Sequence, residues 1–528
     1  MAKRHERKRF YILGDGVYES DDDDDDGGKL IVEAAAAHAA AGAPGATFRF
    51  SRIAGGSDHQ LAGPTRKTLA EAMTAPGGAA STIPSGFTYL GQFIDHDLTF
   101  DKTNVALGDP EPPSTMLQGR SPALDLDSLY GRGPHDTPVF YRADHLHLKA
   151  GGTDADPHDG FDLPRAGATP SSAKIPDSRN DENLAVAQTH LAFIRFHNRV
   201  LDTLEQGGTP PALLFQRARR QVTRHYQWMI RTDFLPRVCD PAVVDDVFAN
   251  GRKIFEPTVP PTQVPTMPIE FSVACYRLGH SMVRAAYNWN AVFPNGGGTL
   301  ELLFNFSGTS GELGGSNPLP RIWVADFRRL YVFDQAGRPD LVVPPAQFNH
   351  AMQIDTNLVD PLAKLPPETL GQPPGTPPTT KNNLAFRNLT RARMVRLPTG
   401  QEMADFLNTH GVPVTALTPA QIESGAGAGV TVPPDIAPDV VPHTPLWFYI
   451  LREAELHNGR LAGVGARIVA EVFHRAMEGS ATSIVRNPGF TPSTDLGSPD
   501  GSTFRMVDLL FFAFEGNTDL LNPNGPEP

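Results

Sequence analysis

Several short stretches of this chain carry side chains that are costly to bury unless something uses them. The first is Phe87-Thr-Tyr-Leu-Gly-Gln-Phe-Ile-Asp-His-Asp-Leu-Thr-Phe100, which sets Gln92, Asp95, His96 and Asp97 into an otherwise apolar segment. Leu90, Phe93, Ile94 and Leu98 recur at helical spacing, which predicts a helix set into a core. On such a helix Gln92 and His96 lie one above the other, with Asp95 close by. A histidine, an amide and a carboxylate converging from one buried helix are expensive to desolvate unless something there uses them. The plain alternative is a satisfied core histidine at the end of a charged turn.

Ser121-Pro-Ala-Leu-Asp125-Leu-Asp127 places two carboxylates two apart beside a hydroxyl, an oxygen-rich set suited to calcium. A solvated turn is the simpler reading of those residues alone. In Pro176-Asp-Ser-Arg179-Asn-Asp-Glu182, Ser178 or Asn180 can cap the helix that follows, and Asp181 and Glu182 suit its dipole. Arg179 opposes that dipole and is read instead as aimed at an oxyanion or a peroxide oxygen. Tyr276-Arg277-Leu-Gly279-His280 ends a buried segment, and Gly279 leaves room for a flat ligand beside His280. His96 and His280, on two separate buried helices, have the arrangement that a sandwiched ligand needs. Asn388 stands among apolar neighbours in Leu384-Ala-Phe-Arg387-Asn388-Leu-Thr-Arg391-Ala-Arg393, while the arginines there read as a salt-bridged surface.

These residues need elements to hold them. Helices are predicted at Glu182 to Gln206, Ala212 to Leu235, Ile269 to Met282, within Gln347 to Leu365, and at Asn382 to Met394. More follow at Gly400 to Thr409, Pro445 to Glu455, Val464 to Met477 and Arg505 to Phe514. Residues 105–178 and the proline-rich 411–444 read as connection, and 286–320 as loops with a short hairpin. The fold class expected is mainly α, one large helical domain over 46–520 with long irregular loops and little sheet. An extension over 1–45 carries the solvated run Asp21–Asp26, and a tail covers 521–528. The length prior alone would suggest roughly three or four domains, but the chemically suggestive residues spread from Gln92 to Asn388. A net charge of −13 argues against a general nucleic-acid binder. Two cysteines, Cys239 and Cys275, cannot supply a disulfide framework. No stretch reaches the ~18 apolar residues of a membrane span. The basic N-terminus lacks an apolar region after it, so the expectation is a cytoplasmic protein, with non-Sec export open.

Taken in order, Gly91-Gln92-x-x-Asp95-His96-Asp97, Asp125-x-Asp127-x-x-Tyr130-Gly131, Arg179-x-x-Glu182, Arg277-x-Gly279-His280 and Asn388-x-x-Arg391 resemble the animal-type haem peroxidase superfamily. That group includes myeloperoxidase, lactoperoxidase and the peroxidase–cyclooxygenases, and the chain looks like one of its compact bacterial members. The resemblance implies a haem b enzyme that reduces hydrogen peroxide and oxidises a small-molecule donor. By the same resemblance, His96 would be the distal base, Gln92 would order the distal water, and Arg179 would be the distal arginine. His280 would be the proximal iron ligand, with Asn388 on its other ring nitrogen and Arg277 and Arg391 at the haem propionates. Asp97, Ser121, the Ala123 carbonyl, Asp125 and Asp127 would form a calcium site. Asp95 and Glu182 match the two carboxylates that become ester-linked to haem in the vertebrate enzymes.

Two departures qualify the resemblance. Asn183 stands where myeloperoxidase has the methionine of its sulfonium link, which argues against that link and against efficient chloride oxidation. Asp127 replaces a serine frequent in the animal enzymes, and an added carboxylate should strengthen cation binding. The nearest rival is a fatty-acid dioxygenase of the same superfamily, which carries a radical tyrosine three residues before the proximal histidine. Here that position is Arg277, and Tyr276 precedes it. A rival of another class is a non-catalytic haem-binding or calcium-stabilised structural module.

Overall fold

The computed structural model describes residues 48–103, 105–165, 173–310, 313–316, 318–370 and 375–525. The expected 1–45 extension, with its Asp21–Asp26 run, lies outside them, as do the last residues of the expected tail. The architecture is mainly α. Among the described residues, helices of eight or more residues are α1 (Gly63–Met73), α2 (Gly86–Leu98), α3 (Leu184–Gln206), α4 (Pro211–Met229) and α5 (Pro241–Asn250). They continue with α6 (Leu384–Met394), α7 (Gly400–Thr409), α8 (Leu446–Leu456), α9 (Gly463–Gly479) and α10 (Met506–Ala513). Sheet is confined to short pairings. β1 (Phe48–Ser51) lies between β3 (Leu117–Gln118), antiparallel, and β4 (Met267–Pro268), parallel, with Phe50 opposite Met267. β2 (Ala80–Pro84) pairs antiparallel with β7 (His350–Met352), and β5 (Ala286–Tyr287) with β6 (Gly298–Thr299).

One apolar core runs from Phe50 to Leu521. At its centre α3 packs against α2, α4 and α10. α2 turns Phe87, Leu90, Phe93, Ile94 and Leu98 fully inward, as its period predicts. Phe93 stacks on Phe193 of α3 at 4.4 Å. Among the described residues no helix is long and apolar enough to cross a membrane.

Four expectations need correction. The helix expected over Ala212 to Leu235 is interrupted: a wide π turn spans Ile230–Phe234 before a last turn at Leu235–Val238. Pro236 has no N–H to offer the previous turn, and the wide turn absorbs the mismatch. The segment Ile269 to Met282 is not one helix but a π turn (Glu270–Ala274), a 3₁₀ turn (Cys275–Leu278) and a short α turn (Gly279–Met282). Ala274, at φ −129° and ψ −74°, is the break. Beside it Arg277 Nε donates to the Ser272 carbonyl at 3.2 Å, an acceptor that a regular helix would have used. Gln347 to Leu365 holds no α-helix; β7 is drawn off to pair with β2, and only a 3₁₀ turn forms at Asp360–Ala363. The 411–444 connection contains two short helices, Pro419–Ser424 and Ala437–Val440.

Candidate active site

α2 ends in the site. His96 is 4% exposed, and its Nδ1 lies 2.9 Å from Asn180 Oδ1. Its Nε2 faces Glu182 Oε1 at 3.5 Å. One turn earlier Gln92 donates from Nε2 to that same Glu182 oxygen, and its Oε1 accepts from Asn183 Nδ2 at 2.9 Å. Asn183, rather than Ser178 or Asn180, caps α3, accepting from Val186 N at 2.9 Å. Asp95 lies half-buried against the cavity, with Oδ1 accepting from Thr99 Oγ1 at 3.1 Å. Burial pushes its pKa up, and His96, Arg179 and Arg277 offset only part of that.

Arg179 sits in the 3₁₀ turn Ser178–Asp181 that leads into α3. Its Nε and Nη2 grip Asp177 at 3.0 and 2.7 Å, and Nη2 also donates to the carbonyls of His96 and Thr99. Its guanidinium lies 4.3 Å from the centre of the Phe100 ring. Burial works against the Asp177 carboxylate, yet Arg179 and Arg120 hold its pKa far below the usual range. Asp177 is the anchor that sequence reading missed, because an acid before a helix looks like a cap.

The second wall is built by the broken 269–282 segment and α6. His280 Nδ1 lies 2.8 Å from Asn388 Nδ2, and Asn388 Oδ1 accepts from Arg277 Nη1. Burial, with Arg277 beside it, lowers the His280 pKa to about 3, so the ring is neutral, and with the Asn388 amide nitrogen facing Nδ1 its proton sits on Nε2. Trp447 of α8 stands edge-on to His280, ring centres 6.4 Å apart. Arg391 lies at the cavity edge, in ion pairs with Glu111 and Asp101, rather than on the solvated surface.

These walls enclose one cavity of about 630 Å³, within the range of cofactor pockets. Gln92, Asp95, His96, Arg179 and Glu182 line it, and so do Arg277, His280, Asn388 and Arg391. Two features lay beyond the motif reading. Tyr276 also lines the cavity, and its buried hydroxyl has no partner among the described residues. Asn180 joins His96 to a second buried histidine, with Nδ2 2.9 Å from His190 Nδ1.

Behind α2 is a second cluster. Single carboxylate oxygens of Asp97, Asp125 and Asp127 lie within 4.8 Å of one another, all three residues buried. Ser121 Oγ donates to Asp125 Oδ2 at 2.8 Å, and the Ala123 carbonyl accepts from Asp125 N at 3.1 Å. Desolvation first, and then mutual repulsion, push Asp97 well above the carboxylate range and Asp125 to about 7. Asp127 is pushed to about 6 by burial, which Arg120 only partly counters. Asp127 Oδ1 is buried without a hydrogen-bond partner among the described residues. Three such carboxylates with one orphaned oxygen form a donor set suited to a hard divalent cation.

The Animal haem peroxidase family matches residues 100–302 of the chain. Residues 100–302 therefore carry an animal haem peroxidase family segment. It is 35% identical over 114 residues to a peroxidase-like protein of Margaritifera margaritifera, covering 21% of this chain and 14% of that one. It is 27% identical over 187 residues to thyroid peroxidase of Rattus norvegicus, covering 32% and 20%. These matches therefore span only a small part of the relatives' length. Among solved structures, Peroxidase A from Dictyostelium discoideum shares the fold at TM-score 0.56 and 15% identity, over 91% of this chain and 95% of that one. Oryza sativa fatty acid alpha-dioxygenase does so at 0.59 and 12%, over 91% and 81%. The family matched over residues 100–302 is named for haem, and the fold is shared by a peroxidase and by an oxygenase.

Proposed function

We propose that this chain is a haem peroxidase that reduces hydrogen peroxide and oxidises a small-molecule donor. One observation carries the reading: His96 and His280, from opposite walls, line a single cavity of about 630 Å³. The residues present fit a haem. A neutral His280 would hold the iron through Nε2 with the Asn388 amide turned so that its oxygen accepts from Nδ1, and Arg277 and Arg391 would meet the propionates. Asp95 and Glu182 are the carboxylates available for ester links. When bound, haem supplies the metal that takes up peroxide and the redox chemistry that oxidises the donor.

The chain's own groups do the rest. His96 Nε2 takes the proton of the nearer peroxide oxygen and returns it to the farther one, which leaves as water. Transfer of this kind contributes roughly 10²–10⁴-fold. Arg179, immobilised by Asp177, stabilises the charge that develops on the departing oxygen. Gln92 and Glu182 hold each other beside His96 and orient the water there. Asn183 is occupied as the cap of α3, which fits the absence of a sulfonium link. The Asp97, Asp125 and Asp127 cluster, with Ser121 and the Ala123 carbonyl, would bind calcium and tie α2 to the loop before Tyr130.

A second reading, oxygenation of a fatty acid, is favoured by one feature, the unpartnered Tyr276 phenol in the cavity. Against it, Arg277 fills the position three residues before His280. The deciding experiment is an absorption spectrum of the haem-supplemented protein before and after hydrogen peroxide, with acid–organic extraction of the haem. A Soret band that shifts with peroxide supports the peroxidase reading, and haem that resists extraction supports the ester links. No Soret band sinks the reading, and rapid oxygen uptake with a polyunsaturated fatty acid would replace it with the dioxygenase.

A further inference from the structure

Asn180 is wholly buried, and it bridges two histidines rather than capping a helix. A side-chain amide has one end that only accepts and one end that only donates. Its Oδ1 lies 2.9 Å from His96 Nδ1, so that nitrogen carries the proton. Its Nδ2 lies 2.9 Å from His190 Nδ1, so that nitrogen must be bare. A neutral imidazole holds one N–H, so protonation at Nδ1 leaves His96 Nε2 with its lone pair. Nε2 is the atom that reaches the cavity side, facing Glu182 at 3.5 Å.

His190, on α3, is itself fully buried, and burial keeps it neutral by lowering its pKa to about 3. Phe93 of α2 holds its ring in an edge contact, centres 5.6 Å apart at 75°. Its Nε2 has no hydrogen-bond partner among the described residues. Among the described residues the His190 side chain thus has a single hydrogen bond, the one to Asn180. If the amide turned over, both histidines would exchange tautomers together, and His96 would present an N–H to the cavity.

We propose that Asn180 and His190 are positioning residues that lock His96 in the tautomer whose Nε2 can accept a proton. The proposal rests on the reading of His96 as the base of a peroxide-reducing haem site. Neither residue touches the reacting atoms; each acts through His96. Orienters of this kind fix which nitrogen of an imidazole does the chemistry.

The test uses the full haem-loaded chain and the variants Asn180→Leu, Asn180→Asp, His190→Phe and His96→Ala. Soret absorbance and haem content come first. Stopped-flow association of cyanide is the second readout, because HCN must give its proton to a nearby base before it binds as an anion. The rate with hydrogen peroxide is the third. Asn180→Leu should slow both reactions by about ten- to a hundredfold with the Soret band unchanged. Asn180→Asp keeps an acceptor at Nδ1 and should recover to within about threefold of the wild type. His190→Phe should cost about three- to tenfold, because the amide loses the partner that orients it. A cyanide rate for Asn180→Leu within about twofold of the wild type would overturn the proposal. Should that variant lose haem, a wild-type rate in His190→Phe with a tenfold loss in Asn180→Asp would overturn it equally. A His96→Ala protein that reacts as fast as the wild type refutes the peroxidase reading itself, which separates the two failures.

Discussion

At the residue scale, the two walls of the cavity are prepared differently. His96 has a polar escort on every side: Asn180 at Nδ1, Glu182 near Nε2 and Gln92 one turn away. His280 has Asn388 at Nδ1, the Arg277 guanidinium beside it and Trp447 edge-on, and it stays neutral. The first prediction follows. His96→Ala should lower the rate with peroxide by roughly 10²–10⁴-fold while the Soret band stays, because the base is lost and His280 is not. Stopped-flow spectroscopy reads both, and loss of the Soret band instead would make His96 a holder of the cofactor. Most of these residues were legible in the motifs, since a buried histidine or amide in an apolar run needs a use. Asp177 and Asn180 were not, because their types and position mimic ordinary helix caps.

At the scale of elements, close approach decides what each helix can carry. A Cβ at Gly86, the first residue of α2, would lie 2.2 Å from the ring of buried Tyr331. Gly86→Ala should therefore destabilise the fold by about 1–3 kcal/mol and lower haem occupancy, because either Tyr331 or the helix that presents His96 must move. A denaturant titration checks the first and the Soret-to-protein ratio the second; an unchanged midpoint would show that Tyr331 yields freely. A different device joins α8 to α9. Glu453 of α8 accepts from Val464 N and Gly465 N at 3.1 Å each, at the start of α9. Burial nonetheless raises its pKa from 4.5 to about 8. The folded chain thus binds more protons than the unfolded one between those values. Its contribution to stability is fully present below about pH 4.5 and is lost as pH rises to about 8. Glu453→Gln should remove that dependence and flatten the Tm profile between pH 5 and 8, costing about 1 kcal/mol at the acidic end for one lost hydrogen bond and becoming the more stable protein towards pH 8. Equal slopes for the two proteins in calorimetry would show that Glu453 does not titrate there.

At the scale of the whole molecule, the Asp97, Asp125 and Asp127 cluster links α2 to a distant loop, and Arg120 extends the link to Asp177, which it meets at 2.7 Å. Without a cation, three buried carboxylates repel one another. Dialysis against a chelator should lower Tm, and calcium, not magnesium, should restore it, by about 2.7 kcal/mol of stabilisation at a hundredfold excess over Kd. The peroxide reaction should slow in parallel, since Asp97 adjoins His96; a Tm indifferent to both treatments would leave the cluster as protonated acids. The sequence by itself determined the helical class, because the 3.6-residue period and the caps are local. It also determined the order of the motifs and the identity of both histidines. Only the tertiary structure decided the rest. The break at Ala274 and the pairing that turned 350–352 into a strand depend on partners far away in the chain. The same holds for the meeting of α2, the 269–282 segment and α6 around one cavity, and for the Asn180 bridge to His190. The physical reason is common to all of them. Local propensity acts over one or two turns, whereas a buried polar group finds its partner wherever packing brings one within 3 Å.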